Sequence, residues 1–420
     1  MTSTRNISRF SVLVFALAVM PAGAATLCVN ANGGQNCYRH ISDAVAAAAN
    51  GDVIRVSPGT YRESVTIAKP LSLVGQFATI EAKGLTRGIF VDGIDSPGLA
   101  GVHVSGFTIQ NAQFEGILVA NASAVTVSGN TVLNNNKNVI DGNCTDLPPI
   151  EPGEAMDCGE GIHLMGADHS IVTSNTVKGN AGGILISDDT AITHDNLISY
   201  NTVSDNPFAC GITMASHVPA AVSGSSVPLG VFHNTVFGNR SQRNGLAIGG
   251  GAGVGIFASI PGAKSYGNVV VANLVSENGL PGIAMHAHAP NQNLNDNMIV
   301  GNISRNNGPD TADAATPGTT GINLYSLVPV SGNIISGNTI SAQDNAVVIN
   351  NPALVQVEFN SFQAKKAGVD NLNIGSVDAT NNWWNCSFGP TLPGACAAVV
   401  GEGVQFDPWL TMPPPSQPLF

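Results

Sequence analysis

The phrase Asn-Thr-Val recurs along this chain at Asn130, Asn175, Asn201 and Asn234, and returns as Asn-Thr-Ile at Asn338. A second phrase, Gly-Ile, recurs at Gly116, Gly161, Gly211, Gly255, Gly282 and Gly321. From Gly to the following Asn the step is 14 residues at Gly116 and Gly161, 13 at Gly255 and 15 at Gly282. The shortest return, Asn175 to Gly183, is 8 residues, so the minimal unit is 22. Periods of this size belong to stacked architectures, whose units bury their apolar faces only against one another.

Within a unit the apolar residues alternate. Ile162 and Leu164 are interleaved with His163 and Met165, and Ile184 and Ile186 with Leu185 and Ser187. Period two is a strand signal. Short strands separated by Gly or Asn suit a chain that coils, so that each strand pairs in parallel with its equivalent one turn later, about 4.8 Å away. A recurrent Asn fits a turn through the left-handed region or an internal ladder of side-chain amides. Three coils run long: Asn130 to Gly161 spans 31 residues, Asn234 to Gly255 spans 21 and Asn297 to Gly321 spans 24. All three insertions are expected at one corner, walling the Gly-Ile strands, and insertions on one face of a repeat stack are a common place for binding.

The two ends of the chain carry a resemblance. Ile41-Ser42-Asp43-Ala44-Val45, Gly51-Asp52-Val53-Ile54-Arg55-Val56 and Pro58-Gly59-Thr60-Tyr61-Arg62-Glu63 resemble the opening of the NosD-like periplasmic group of the pectin-lyase-like superfamily. Asn381-Asn382-Trp383-Trp384 followed by Gly389-Pro390 resembles its closing coil, with Asn385 where that group usually has Gly. The resemblance covers residues 28–410 and implies an all-β, single-stranded right-handed parallel β-helix. The expected organisation is an export signal at 1–24, an N-terminal cap at 25–52 with a capping helix over 41–49, the β-helix at 53–385, a C-terminal cap at 386–412 and a tail at 413–420.

The export reading rests on Arg5 and Arg9 ahead of an apolar run at 12–20 and the small residues Ala22-Gly23-Ala24. It predicts a periplasmic or secreted protein with no membrane span. Seven cysteines then sit in an oxidising compartment, where Cys28 with Cys37, Cys144 with Cys158 and Cys386 with Cys396 are expected as local disulfides and Cys210 as a free thiol. Loss of Arg5 and Arg9 leaves 14 basic against 28 acidic residues, a net charge of -14. Nucleic acid is excluded as a partner. The chain is expected to be a monomer.

If the Ile after each Gly points into the coil, the residue after it points out, as does the one two further on. That places His163, Met165, His286, Asn323 and Tyr325 on one surface, with Asp188, Asp189, His217 and His288 just beyond. His163, Asp188, Asp189, His217 and His286 are the catalytic candidates, since acid–base work needs groups with exchangeable protons. His163, Met165, Asn323 and Tyr325 are the binding candidates. Asp188-Asp189 resembles the aspartate pair of polygalacturonases, without the other phrases of that family. No cofactor is demanded, but His286-Ala287-His288 offers a divalent metal two ligands on one strand face. Two functions stay open. One is a protein that binds a polysaccharide along this face and, if it is an enzyme, acts as a hydrolase or lyase. The other is a non-catalytic periplasmic metal-associated, scaffolding or adhesive protein.

Overall fold

The computed structural model describes residues 23–34, 36–140, 143–151, 160–247, 250–312, 315–391 and 394–414. Most of the expected export signal and the end of the tail lie outside these. Each regular coil carries three short strands. One coil has Ile162–Met165, Ile171–Thr173 and Thr176–Lys178. The next has Ile184–Ser187, Leu197–Ser199 and Thr202–Ser204, paired in parallel with the first through Ile162 and Ile184, Ile171 and Leu197, and Thr176 and Thr202. Among the described residues the first strands of the coils form a sheet of 12 strands, here the front sheet, and the other two join a sheet of 23 around the back.

The alternating pattern accounts for the core. Ile117, Ile162, Ile184, Ile212, Val254, Ile283 and Ile322 are stacked by register and fully buried. Burying such a side chain stabilises the fold by about 1.5–3 kcal/mol. The Gly before each of them is required by close approach rather than by its backbone angle: a Cβ on Gly183 would lie 2.0 Å from the carbonyl oxygen of Gly211 in the next coil.

Asparagine lines three corners of the coil. In the first ladder Asn130, Asn175, Asn201, Asn239, Asn273, Asn302, Asn338 and Asn360 each donate a backbone N–H to the Oδ1 of the next member, at 2.8–2.9 Å, ending on Asn382. A second ladder runs from Asn135 through Asn180, Asn206, Asn244, Asn278 and Asn307 to Gln343. A third runs from Ser170 through Asn196, Asn234, Asn268 and Asn297 to Asn333. The residue before the ladder side chain takes the left-handed conformation, as at Ser174, Tyr200, Gly179, Asp205, Asp195 and His233. The turn and the ladder are thus neighbouring residues of one device. Each ladder amide satisfies buried backbone groups, and leaving one such group unsatisfied costs about 1–3 kcal/mol.

Two members of the repeat phrases were out of register. Asn234 belongs to the third ladder, and Asn239 takes the place equivalent to Asn201. Gly255 pairs with Thr213, so Gly253-Val254 is the true Gly-Ile equivalent of that coil. Both phrases occur at more than one corner because the same turn chemistry is used at each. The correction moves one insertion. The insertions that follow Asn136 and Asn307 do leave from the upstream edge of the front sheet, but among the described residues of the coils between them the longest excess is 217–230, which leaves Ile212–Ser216 on the downstream edge. The front sheet is therefore walled on both sides.

The first coil is covered by a helix, Ile41–Ala47, two residues shorter than expected because Ala48 turns to extended backbone. The Glu63 carboxylate accepts from the backbone N–H groups of Ile41 and Ser42, compensating the helix N-terminus. At the far end Trp384 is fully buried against Phe362. The disulfides Cys28–Cys37 and Cys386–Cys396 are present. Cys144 is also disulfide-bonded, while Cys158 lies outside the described residues. Cys210 is buried outside these disulfides, and its Sγ accepts from the Ala252 backbone N–H at 3.2 Å. No helix among the described residues is long and apolar enough to cross a membrane.

Candidate active site

Two outward positions per strand define the front face. Register places Leu118, His163, Leu185, Thr213, Gly255, Ala284 and Asn323 in one row, and Ala120, Met165, Ser187, Ala215, Phe257, His286 and Tyr325 in the other. These residues point away from the coil axis, yet most are buried, because the loops on both edges fold over them.

The densest polar cluster lies where the longest loops meet. His163 and Ser187 sit on adjacent strands, Ser187 two residues beyond the register partner Leu185, and His163 Nε2 is 2.7 Å from Ser187 Oγ. Ser187 donates its one hydroxyl proton to Asp189 Oδ2 at 2.6 Å, so it accepts from His163 Nε2–H. Asp189 Oδ1 meets His217 Nδ1 at 3.1 Å. On its other side His163 Nδ1 faces Glu115 Oε1 at 3.8 Å. Glu115 and Glu151 both hold Arg87, the former at 2.6 Å through Nε and the latter through Nη2. All of these side chains are less than a tenth exposed.

Their electrostatics diverge. Burial alone would raise Glu115, but the Arg87 guanidinium, with Glu151 and His163 close by, outweighs it and holds the carboxyl at about 2. Burial and then the negative charge of Glu115 push Glu151 well above the usual carboxylate range. For Asp189 burial is overcome by His217, His163 and Ser187, and the group is depressed. Neighbouring acids driven in opposite directions are the arrangement that supports acid–base chemistry near neutral pH. A serine nucleophile activated by His163 does not fit, because the Ser187 proton is already directed at Asp189.

Asp188 has a different task. It accepts from Ser216 Oγ at 2.8 Å, from the His217 backbone N–H at 2.7 Å and from the Gly230 backbone N–H, tying both ends of the 217–230 loop, and burial raises its pKa despite these bonds. Met165 packs with Leu118 and Ala120 against Ile150. His286 lies four coils along the stack from His163, about 19 Å away by strand spacing, so the five catalytic candidates do not form one centre. His286 Nε2 is 2.9 Å from Asn323 Nδ2 and 3.4 Å from Asp310 Oδ2, and Phe257, His288 and Tyr325 surround its ring. The His286 and His288 rings are 5.4 Å apart, and the described residues contain no group of three or more His, Cys, Asp or Glu able to hold a metal ion.

Arg87, Glu115 and Glu151 were not singled out from the sequence. A signal for the first two existed: Arg87 precedes Gly88-Ile89 and Glu115 precedes Gly116-Ile117, so charge immediately before the repeat phrase marks this edge. Glu151 lies inside an insertion and carries no such mark.

Residues 87–259 match the family model described as "Right handed beta helix region". The chain is a right-handed parallel β-helix protein. No curated protein sequence matches it. Among solved structures, the β-helix is similar to an alginate lyase from Paenibacillus sp. str. FPU-7 at 12% identity and TM-score 0.44, covering 90% of this chain and 99% of that one. It is similar to the A-module of the Azotobacter vinelandii mannuronan C-5 epimerase AlgE4 at 14% identity and TM-score 0.46, over 86% and 94% of the two chains. PfbA, a surface adhesin of Streptococcus pneumoniae, gives 12% identity and TM-score 0.47 over 87% and 94%. At this level of likeness the three share a coiled architecture and bear on neither site nor substrate.

Proposed function

We propose that this β-helix is exported and acts on a carbohydrate along its front face, with Glu115, Glu151, His163 and Asp189 as the acid–base centre. The observation that carries the reading is geometric: two buried carboxyls, Glu115 and Glu151, share the Arg87 guanidinium beside His163, where their surroundings move their proton affinities in opposite directions. Arg87 and His217 position these groups, and Asp188 fixes the wall beside them. The disulfides at both ends of the stack support an oxidising compartment, in keeping with removal of residues 1–24 on export.

The near-complete burial of the centre favours a second reading, in which the network only clamps the flanking loops. One experiment separates them. The purified protein is incubated with neutral and uronate-containing polysaccharides, following reducing ends and the ultraviolet absorbance of unsaturated uronates, beside His163→Gln and Glu115→Gln. Product from the wild type, lowered at least tenfold in both variants at a temperature where circular dichroism shows each of them still folded, is expected. Absence of product and of binding on every polysaccharide, with both variants merely less stable, would leave the clamp as the only role.

A further inference from the structure

The outer face of the back sheet carries a surface that the front-face centre does not use. Register aligns Ile171, Leu197, Thr235, Val269, Met298 and Ile334 in one outward row over six consecutive coils, and Thr173, Ser199, Phe237, Val271, Val300 and Ser336 in the other. Eight of these twelve residues are apolar, the rest are Ser or Thr, and none is charged. Ile171 and Met298 are each 38% exposed, and the others of the apolar set are half-buried, apart from their fully turned-in neighbours Val172, Ile198 and Ile299.

Aromatic rings extend this face on both sides. Upstream, His194, Phe232 and Tyr266 stack along the coil axis, with ring centroids 5.3 and 5.0 Å apart. Downstream, Tyr200 is 48% exposed and rests edge-on against Phe237. Charge returns at the borders: at Asp168, Asp195 and Asp296 on the upstream side, at Lys178, Asp205, Arg240 and Arg243 on the downstream side, and at Glu358, which pairs with Ser336 one coil beyond the patch. Parallel sheets ordinarily have both faces covered, and a contiguous apolar patch on a soluble protein marks an interface.

We infer that this face docks a second copy of the chain, sheet against sheet. Three arguments select that occupant. The chain has a formal net charge of -12, so two copies repel over most orientations, and a face without charge is where they can meet. Coils in constant register make a flat, regular surface, which a two-fold operation brings against itself with side chains interdigitating at the usual sheet-packing distance. Six coils at 4.8 Å and about seven residues of chain across give a patch of roughly 30 by 20 Å, or about 1,200 Å² over both partners, at the lower limit for a specific interface. The edges of the stacked rings, rather than their faces, are presented outward, which suits packing between side chains better than stacking on sugar rings. The dimer inferred is accordingly weak and concentration-dependent, with the monomer prevailing on dilution.

Val271, near the centre of the patch and so near the two-fold axis, gives the test. Sedimentation equilibrium of the mature chain over a wide concentration range is expected to show monomer passing to dimer. Val271→Glu and Val271→Lys should each remain monomeric with an unchanged melting temperature, and an equimolar mixture of the two should recover the dimer. A wild type that stays monomeric at the highest concentration reached overturns the inference, as does a Val271→Glu chain that still dimerises. A monomeric wild type that instead pellets with an insoluble neutral polysaccharide, through this same residue, also overturns it and reassigns the face.

Discussion

At Glu115 and Glu151 a single guanidinium serves two buried carboxyls, and only one of them can be ionised at little cost. The consequences for stability have opposite signs. Glu115 falls from an ordinary 4.5 to about 2 in the folded protein, so its contribution is full above pH 4.5 and is lost as the pH drops towards 2. Glu151 is raised on folding, so its contribution is present below the ordinary carboxylate value and is lost as pH climbs to its native one. Replacing Glu151 with Gln keeps the neutral shape and leaves Arg87 paired with Glu115. The variant should therefore melt at a higher temperature than the wild type at neutral and alkaline pH, with the two curves converging near pH 4, as followed by circular dichroism. Parallel curves for the two proteins across that range would show that Glu151 is not protonated in the fold.

The elements were more legible than their order. Alternation of Ile162, Leu164, Ile184 and Ile186 identified strands, and the 22-residue unit reappears as the pairing of Ile162 with Ile184. What misled was degeneracy: a left-handed residue followed by Asn occurs at three different corners of the coil, so a short phrase names the turn without naming the corner. Asn234 and Gly255 were misplaced for that reason, and only strand pairing distinguishes them. The site was legible in part. His163, Asp189 and His217 do converge, whereas Glu151 reaches them from a loop whose path no periodicity encodes. The glycine of the Gly-Ile phrase makes a separate prediction at this scale. A methyl group on Gly183 would meet the Gly211 carbonyl, which is backbone and cannot swing aside. Gly183→Ala should destabilise the protein by about 1–3 kcal/mol, the usual cost of overpacking a tight interior. The same change at Gly262, whose added methyl meets nothing within 4 Å but whose φ is +81°, tests backbone angle alone. Urea unfolding midpoints for the pair would measure which constraint is stronger, and an unaltered midpoint for Gly183→Ala would mean the coils can separate there.

For the whole molecule the stack is a one-dimensional solid with two ends and three sides, and each exposes a different hazard. The sides have their backbone groups satisfied by the sheets and ladders, so association there depends on side chains and stops at a dimer once the uncharged face is used. The ends offer unpaired strand edges and open core, and association through them would not close. At the N-terminal end, Thr26–Val29 pairs with Val53–Val56, and Ile41, Ala44 and Val45 of the helix lie over the core. Removing residues 25–52 strips both and should turn the protein into chains that grow by end-to-end addition, seen as light scattering that rises with time and concentration. Ile41→Glu, which loosens the helix without shortening the chain, should do the same more slowly. Adding Val271→Glu to the truncated chain distinguishes the two surfaces: scattering should persist, because growth through an end does not need the back face. A truncated chain that remains monodisperse, or one whose growth is abolished by Val271→Glu, would show that the helix is not what keeps the first coil from association.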